Sequence, residues 1–329
     1  MRARMPTRSE GATQGHSTAW PGYAPWKSTV IACREDFVRV ARSFWLIPEL
    51  IPPITREDVA LLYCFCRQLD DAVDEAPSAD LARQQLAQWE AEVRGEAEPR
   101  PLIAAFLHGA KRTGLPLGCV HLLFEGMESD LGLVRLADDD ALLRYSYRVS
   151  SCVGLLLAPL LGVRGADGEQ RVVDLGLALQ ISNILLGVAA DAKRGRVYLP
   201  ATRLAQVGLT ADDVLANPAD PRLAPVLQGL AELGDVYYRS AQQGASTVPL
   251  RYRHGVLLLG RVYGALGRRA ARTFHAPSTP LGLSGLERAR HLTSLVVAGV
   301  HPRVMGLLAP PPHEPSLHRA LSGLPGVDA

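Results

Sequence analysis

One segment, residues 169–192, constrains the fold more than any other part of this 329-residue chain. Its sequence, EQRVVDLGLALQISNILLGVAADA, carries apolar residues on nearly every side of a helix between Val172 and Val188. A helix that is apolar all round must be surrounded by other elements of the protein. We therefore expect a central helix with the rest of the chain packed around it.

Helical periodicity also dominates the segments on either side, and no run of alternating β-branched residues predicts a strand. The pattern predicts an all-α, single-domain bundle over residues 29–305. We expect a disordered segment at residues 1–28 and a loose Pro/Gly-rich tail at residues 306–329. One of the apolar stripes at helical spacing comprises Val59, Leu62, Cys66, Leu69 and Val73.

Composition and charge exclude several classes of function. The formal net charge is +2 and there is no basic arm or lysine run, so a nucleic-acid partner is not expected. The five cysteines lie mostly in apolar stretches without a disulfide or zinc pattern, which favours a cytoplasmic location. The apolar run at residues 152–163 is too short to span a bilayer and no other segment reaches spanning length, so any membrane contact is expected to be peripheral.

The segment CRQLDDAVDE, residues 66–75, contains the first cluster that suggests chemistry. Asp70 and Asp74 lie one helical turn apart on one face, which continues through Arg67 and Tyr63. Like charges at this spacing repel each other, whereas Mg²⁺ is typically held by one or two carboxylates and the phosphate oxygens of a substrate. The cluster is interpreted as a magnesium–diphosphate site or, alternatively, as a solvated acidic patch near a helix end.

The second cluster lies on the apolar central segment. Its polar positions share one helix face, with Gly187 at the skipped turn. Buried polar side chains need partners or a polar cavity, and the basic residues Lys193, Arg194 and Arg196 suit a diphosphate. The alternative is a polar layer at a helix end followed by a solvated turn. The polar positions are Gln180, Asn183, Asp191 and Arg194.

Several further residues have both a structural and a functional interpretation. The aspartates at 138–140 fit helix capping better than a second metal site, and the lone His254 is interpreted as structural. Glu128 and Asp130 fit a surface role and a site role equally well. Tyrosines can pack in the core or line a cavity in which their rings stabilise a cation. The tyrosines in question are Tyr63, Tyr147, Tyr198 and Tyr263.

Together the two clusters resemble the squalene/phytoene synthases, all-α enzymes that join isoprenoid diphosphates head to head. The resemblance covers roughly residues 30–270 and implies an isoprenoid-synthase-type helical bundle around a central cavity. In that family two facing aspartate-rich motifs hold Mg²⁺ ions that bind diphosphate. The matching segments are SFWLIPELIPP (43–53), LLYCFCRQLDDAVDE (61–75), EGMESDL (125–131), YRVSSCVG (147–154) and GLALQISNILLGVAADAKRGRVYLP (176–200).

The resemblance implies a role for each matching position. The implied metal ligands are Asp70, Asp71 and Asp74, with Asn183 and Asp191 as weaker candidates. The implied catalytic residues are Asp70, Asp74, Arg67 and Tyr63. The implied residues for substrate and diphosphate are Ser43, Arg67, Gln180, Asn183, Lys193, Arg194, Arg196 and Tyr198.

The second motif departs from the family pattern Asn-Ile-Leu-Arg-Asp-Val-x-Glu-Asp. Leu186, Gly187 and Ala190 replace its arginine, first aspartate and glutamate. The loss of charge predicts an acceptor pocket at these three residues for an apolar, aromatic, carbazole-like molecule, prenylated by a C5 to C20 diphosphate donor. Such a chain looks like the phytoene-synthase-like prenyltransferases of bacterial secondary metabolism. The alternatives are a head-to-head synthase with a degenerate second motif and a non-catalytic binding or assembly protein.

Overall fold

The computed structural model describes residues 25–41, 53–274, 305 and 307–328. These residues form helices and helical turns without a strand, and their one isolated β-bridge joins Arg135 to Val197. The all-α prediction is therefore confirmed. The helices are α1 (Lys27–Ala41), α2 (Pro53–Asp74), α3 (Ala79–Arg94), α4 (Pro101–Thr113), α5 (Gly118–Ser129), α6 (Asp139–Ser146), α7 (Cys152–Leu160), α8 (Ala166–Lys193), α9 (Ala201–Ala205), α10 (Ala211–Ala216), α11 (Ala224–Gln243) and α12 (Leu250–Thr273).

Helix α8 forms the centre of the bundle, as the sequence predicts, and packs against α7, α11 and α12. Val173, Leu177 and Ile181 are almost fully buried along it. Among the described residues, α8 is the one helix that is long and apolar enough to cross a membrane. Of its most apolar 18-residue stretch, 56% is buried inside the bundle. The expectation that no segment reaches spanning length is therefore wrong. A central bundle helix and a membrane span share the same composition.

The chain between α6 and α7 forms a π-helical turn over Tyr147–Ser151. Helix α8 packs closely against this turn at Gly176. A Cβ atom on Gly176 would lie 2.5 Å from Cα of Ser151, so only glycine allows this approach. The Ser151 hydroxyl donates a hydrogen bond of 2.9 Å to the carbonyl of Val173. The small residues at these positions thus set the distance between α8 and the helices beside it.

The acidic run before α6 caps that helix. The Asp138 carboxylate accepts a 2.8 Å hydrogen bond from the amide of Ala141, which satisfies a free N–H at the helix start. Asp139 forms a bidentate ion pair with Arg203, at 2.7 and 2.8 Å. The interpretation of this run as a helix cap is therefore confirmed.

The C-terminal segment, residues 307–328, packs against the bundle. It contains a 3₁₀ turn over Pro315–Leu321, and its backbone carbonyls accept hydrogen bonds from buried side chains. The Tyr147 hydroxyl bonds Pro325 O at 2.7 Å, and Gln170 Nε2 bonds Val327 O at 2.9 Å. The expectation of a loose tail is wrong for these residues, because bundle side chains satisfy the polar backbone of a Pro-rich segment. Of residues 1–28, for which the sequence predicts disorder, residues 1–24 lie outside the described residues. Residues 25–28 form a helical turn and the start of α1, so the prediction is wrong there, because Trp26 packs against the hydrophobic core.

Candidate functional site

An acidic cavity of about 160 Å³ opens between α2, α5, α8 and the loop that follows α8. Asp70 and Asp74 project into it from α2, because the i, i+4 spacing places them on one face beside the buried Leu69. The polar face of α8 and the arginines beyond its end line the opposite wall. The lining residues are Asp70, Val73, Asp74, Met127, Asp130, Tyr145, Gln180, Asn183, Ile184, Asp191, Arg194, Arg196 and Tyr198.

Two arginines close the cavity by binding one carboxylate. Arg194 Nη1 lies 2.7 Å from Asp74 Oδ2, and Arg196 Nη1 lies 2.8 Å from Asp74 Oδ1. Burial alone would lower the pKa of the Arg196 guanidinium, but its hydrogen bond with Asp74 and the charges of Asp74 and Asp130 raise it. Arg196 therefore stays charged, and the pairing joins the end of α2 to the loop after α8.

The remaining carboxyl groups of the cavity have raised pKa values. Burial raises the pKa of Asp191 to about 6, against the lowering effect of Arg196 and Arg194. Burial, followed by the nearby charge of Asp74, raises the pKa of Asp70. Burial also raises the pKa of Asp130. Four carboxyl groups share the cavity with two arginines, so a cation would relieve their repulsion. Carboxylate and amide oxygens fit a hard divalent ion such as Mg²⁺.

Two stacked tyrosines hold Asp130 at the cavity wall. The hydroxyls of Tyr145 and Tyr198 donate hydrogen bonds of 3.0 and 2.8 Å to its two carboxylate oxygens. The two rings stack with centroids 4.8 Å apart. For Asp130 the sequence predicts a surface role and a site role equally well, and no spacing pattern points to Tyr145 or Met127. The sequence feature that could have identified Met127 and Asp130 as site residues is their position in EGMESDL, one of the segments that resemble the family.

Other predicted site residues lie outside this cavity. Adjacent helix positions are about 100° apart, so Asp71 points away from Asp70 to a neighbouring surface cleft. There its carboxylate pairs with Arg67 at 2.9 Å. The ring of Tyr63 packs against Phe37, with centroids 5.5 Å apart. Lys193 is exposed and does not line the cavity. Ser43 lies outside the described residues.

The position of Gly187 explains the gap in the polar stripe of α8. A Cβ atom on Gly187 would lie 2.8 Å from Asp191 Oδ2, so the carboxylate occupies the space that a side chain would fill. Leu186 packs against the hydrophobic core and Ala190 is exposed, and none of the three lines the cavity. The acceptor pocket at these three residues stays a prediction: the Asp191 carboxylate occupies the space over the glycine, and it is the end of a side chain that can move.

Comparison with known proteins identifies the family. Residues 37–283 match the family described as squalene/phytoene synthase. The chain belongs to the squalene/phytoene synthase family. Its α2 and α8 clusters thus lie within the matched region, and the chain is a prenyltransferase-type enzyme that processes isoprenyl diphosphates.

Curated relatives and solved structures agree with this family. The chain is 34% identical over 244 residues to 15-cis-phytoene synthase of Enterobacter agglomerans, covering 70% of this chain and 82% of the relative. It is 32% identical over 250 residues to presqualene diphosphate synthase of Rhodopseudomonas palustris, covering 75% of this chain and 90% of the relative. A crystal structure of a dehydrosqualene synthase superposes with a TM-score of 0.73 at 22% identity, over 84% of this chain and 98% of that one. This isoprenoid-synthase fold agrees with the predicted single bundle.

Proposed function

We propose that this squalene/phytoene synthase family member is a Mg²⁺-dependent head-to-head synthase that condenses two allylic prenyl diphosphates. The observation that carries the proposal is the acidic cavity, in which carboxylates on α2 face Asp191 on α8 and two arginines close the rim. Its similarity to a phytoene synthase and a presqualene diphosphate synthase supports the same reaction type. An enzyme with two diphosphate substrates needs polar groups on both walls, and this cavity supplies them.

The proposed division of labour follows from the contacts. Asp70 and Asp74 would hold Mg²⁺ on one wall, and Asp191 with Asn183 would hold it on the other. An Mg²⁺ ion held by these residues would neutralise diphosphate oxygens and stabilise the leaving group. Arg194 and Arg196, which now pair with Asp74, would turn to the diphosphate when a cation replaces them at that carboxylate.

The reaction begins with ionisation of one substrate. The allylic C–O bond breaks, its electron pair leaves with the diphosphate, and an allylic cation remains. Arg194 and Arg196 would hold the departing diphosphate in place by charge-assisted hydrogen bonds. The double bond of the second prenyl diphosphate supplies the electron pair for the new C–C bond, and loss of a proton gives a condensed product that still carries the second diphosphate. Departure of that diphosphate with its electron pair, rearrangement of the resulting cation and loss of a second proton would then give the symmetrical hydrocarbon. The released diphosphate is a base of suitable reach, so no general base is assigned among the side chains.

A second candidate function is transfer of the prenyl group to an apolar aromatic, carbazole-like acceptor in secondary metabolism. The observation in its favour is the loss of three charged positions of the family motif, at Leu186, Gly187 and Ala190. The carboxylate of Asp191 over Gly187 argues against it, because the apolar space that such an acceptor requires is filled.

A donor-by-acceptor experiment tests both functions. The purified chain is incubated with C5 to C20 allylic diphosphates, with and without carbazole or indole acceptors, and the products are identified by mass spectrometry. We expect a symmetrical product from one diphosphate alone, dependent on Mg²⁺ and abolished by Asp70→Asn. Asp71→Asn, which changes the neighbouring carboxylate outside the cavity, is the matched control and should retain activity.

Two results would contradict the proposal. A prenylated aromatic product without self-condensation would favour the second candidate function. Failure of the folded protein to consume any allylic diphosphate in the presence of Mg²⁺ would favour a non-catalytic binding role.

A further inference from the structure

A second cluster of ligand-type side chains is buried where the C-terminal segment crosses α8. Asp174 on α8 is fully buried, and the side chains of His313 and His318 are each only 3% exposed. His313 Nε2 lies 3.1 Å from Asp174 Oδ2, and His318 Nε2 lies 2.9 Å from Asp174 Oδ1. One possible ligand atom from each residue lies within 4.8 Å of the others. Along α8, Asp174 precedes Asn183 by nine residues, about 13 Å, so this cluster is separate from the acidic cavity.

The charge of Asp174 is not matched by a direct guanidinium contact among the described residues. Arg171, one turn before Asp174 on the same helix, binds Ser240 Oγ at 2.7 Å and Pro311 O at 2.6 Å, and its Nε lies 3.5 Å from Asp167. Ser240 Oγ in turn donates a 2.6 Å hydrogen bond to Asp174. A buried carboxylate is costly unless a cation or several hydrogen bonds compensate it. Beyond the hydrogen bond from Ser240, compensation must come from the Nε2–H groups of the two imidazoles or from an ion bound between them.

The free ring nitrogens favour an ion over a protonated ring. Nδ1 of His313 and Nδ1 of His318 are both buried without a hydrogen-bond partner. Protonation of either ring would place part of the positive charge on a buried N–H without an acceptor, which is unfavourable. A metal ion bound at the two Nε2 atoms and the carboxylate would place the charge between the three side chains and leave both rings neutral.

The distances also suit a small transition-metal ion. Tetrahedral Zn²⁺ at ligand distances of about 2.0–2.2 Å separates neighbouring ligand atoms by about 3.3–3.5 Å. The observed separations of 3.1 Å from His313 and 2.9 Å from His318, each to a different oxygen of Asp174, would widen by a few tenths of an ångström, and the three ligand atoms lie within 4.8 Å of one another. Neutral imidazole nitrogen is a preferred ligand of Zn²⁺ and its neighbours in the first transition row, whereas Mg²⁺ prefers oxygen.

We propose that Asp174, His313 and His318 form a binding site for a divalent transition-metal ion of the Zn²⁺ class. The Ser240 hydroxyl or a water would complete the coordination. Both histidines lie beyond residues 37–283, the region that matches the family. The ion would therefore fasten the C-terminal segment to the central helix, and it has no part in binding the diphosphate.

The test uses the full-length protein after treatment with a chelator. Zn²⁺ binding is measured by calorimetry and elemental analysis, and melting temperature is measured with Zn²⁺ or Mg²⁺. We expect one Zn²⁺ per chain, a melting temperature raised by several degrees, and no such effect of Mg²⁺. His313→Gln, His318→Gln and Asp174→Asn should each lower the affinity at least tenfold. His254→Gln, a histidine on α12 outside the cluster, is the matched control and should bind normally.

Three results would overturn the proposal. The wild-type protein and His318→Gln could bind Zn²⁺ equally weakly, which would leave a hydrogen-bonded cluster without a metal. Zn²⁺ binding could be lost in Asp70→Asn instead, which would place the ion in the acidic cavity. The histidine variants could also lose stability equally with and without Zn²⁺. Because binding is measured without prenyl substrate, these outcomes are independent of whether the proposed synthase activity is found.

Discussion

Asp191 folds back over Gly187, so that its Oδ2 lies 2.8 Å from the position that a Cβ atom on the glycine would occupy. Glycine in a helix interior lowers stability by about 1 kcal/mol relative to alanine. At position 187 it leaves the space that the Asp191 carboxylate occupies. The contact also keeps the Asp191 carboxylate against its own helix, half-buried at the edge of the acidic cavity.

Restoring an aspartate at position 187 should change metal binding and turnover together. In Gly187→Asp the new side chain displaces the Asp191 carboxylate, which can move because it is the end of a flexible side chain. Two carboxylates one turn apart repel each other without metal and bind a divalent ion when it is present. We expect a lower melting temperature in EDTA, a lower Mg²⁺ concentration for half-maximal activity, and faster head-to-head turnover. Gly187→Ala, which adds volume without charge, is the control.

The raised pKa of Asp191 predicts a pH-dependent effect on stability in metal-free protein. The folded pKa of about 6 lies above the unfolded value near 3.9, so the folded state binds the proton more tightly. This contribution is fully present below pH 3.9 and is lost as the pH rises through 6. We expect Asp191→Asn to raise the free energy of unfolding at pH 8 by about 1–2 kcal/mol after allowance for screening, and to leave it unchanged near pH 4.

Urea denaturation in EDTA at both pH values measures this difference. Glu128→Gln, which removes an exposed carboxylate on α5, is the control and should show no such dependence on pH. A destabilised Asp191→Asn at pH 8 would mean that the ionised carboxylate is well compensated in the folded protein.

The helical architecture could be predicted from the sequence because the periods of its apolar residues are local properties. The all-round apolarity of residues 172–188 identified the central helix, and the stripe along α2 identified a helix with one buried face. The packing of the C-terminal segment could not be predicted. Its buried contacts join residues such as His318 and Asp174, which are 144 positions apart, and no local pattern encodes such a contact.

The candidate site was predictable to the extent that helix geometry determines it. Spacing placed Asp70 with Asp74, and Gln180 with Asn183, on common faces, and the structure brings both pairs to one cavity. Asp130 reaches the same cavity through its tertiary contacts with two tyrosines, which sequence spacing does not reveal. Sequence spacing also does not reveal the rotamer of Asp191, which decides how much space the glycine leaves open.

The close approach at Gly176 predicts a large loss of stability on substitution. In Gly176→Ala the new Cβ would lie 2.5 Å from Ser151 Cα, and the backbone of the π turn cannot yield as a flexible side chain can. Overpacking of this kind typically costs about 1–3 kcal/mol, which urea denaturation would detect. The control is Gly118→Ala at the start of α5, where a Cβ meets nothing within 4 Å, and it should be neutral or slightly stabilising. Equal stabilities of the two variants would contradict the tight crossing.

The position of Arg196, paired with Asp74 at the cavity, predicts that it contributes to diphosphate binding and that the exposed Arg67 does not. Hydrogen bonds to charged groups contribute about 1.5–3 kcal/mol, so Arg196→Met should lower kcat/KM by about 10- to 100-fold. The concentration of inorganic pyrophosphate needed for inhibition should rise by a similar factor, because the same guanidinium holds the leaving group. Arg67→Met is the matched control: Arg67 is exposed and paired with Asp71 outside the cavity, and such pairs contribute about 0–1 kcal/mol. If both variants lost activity equally while remaining folded, the diphosphate would lie along the α2 face that carries Arg67, and the rim arginines would serve only to hold Asp74.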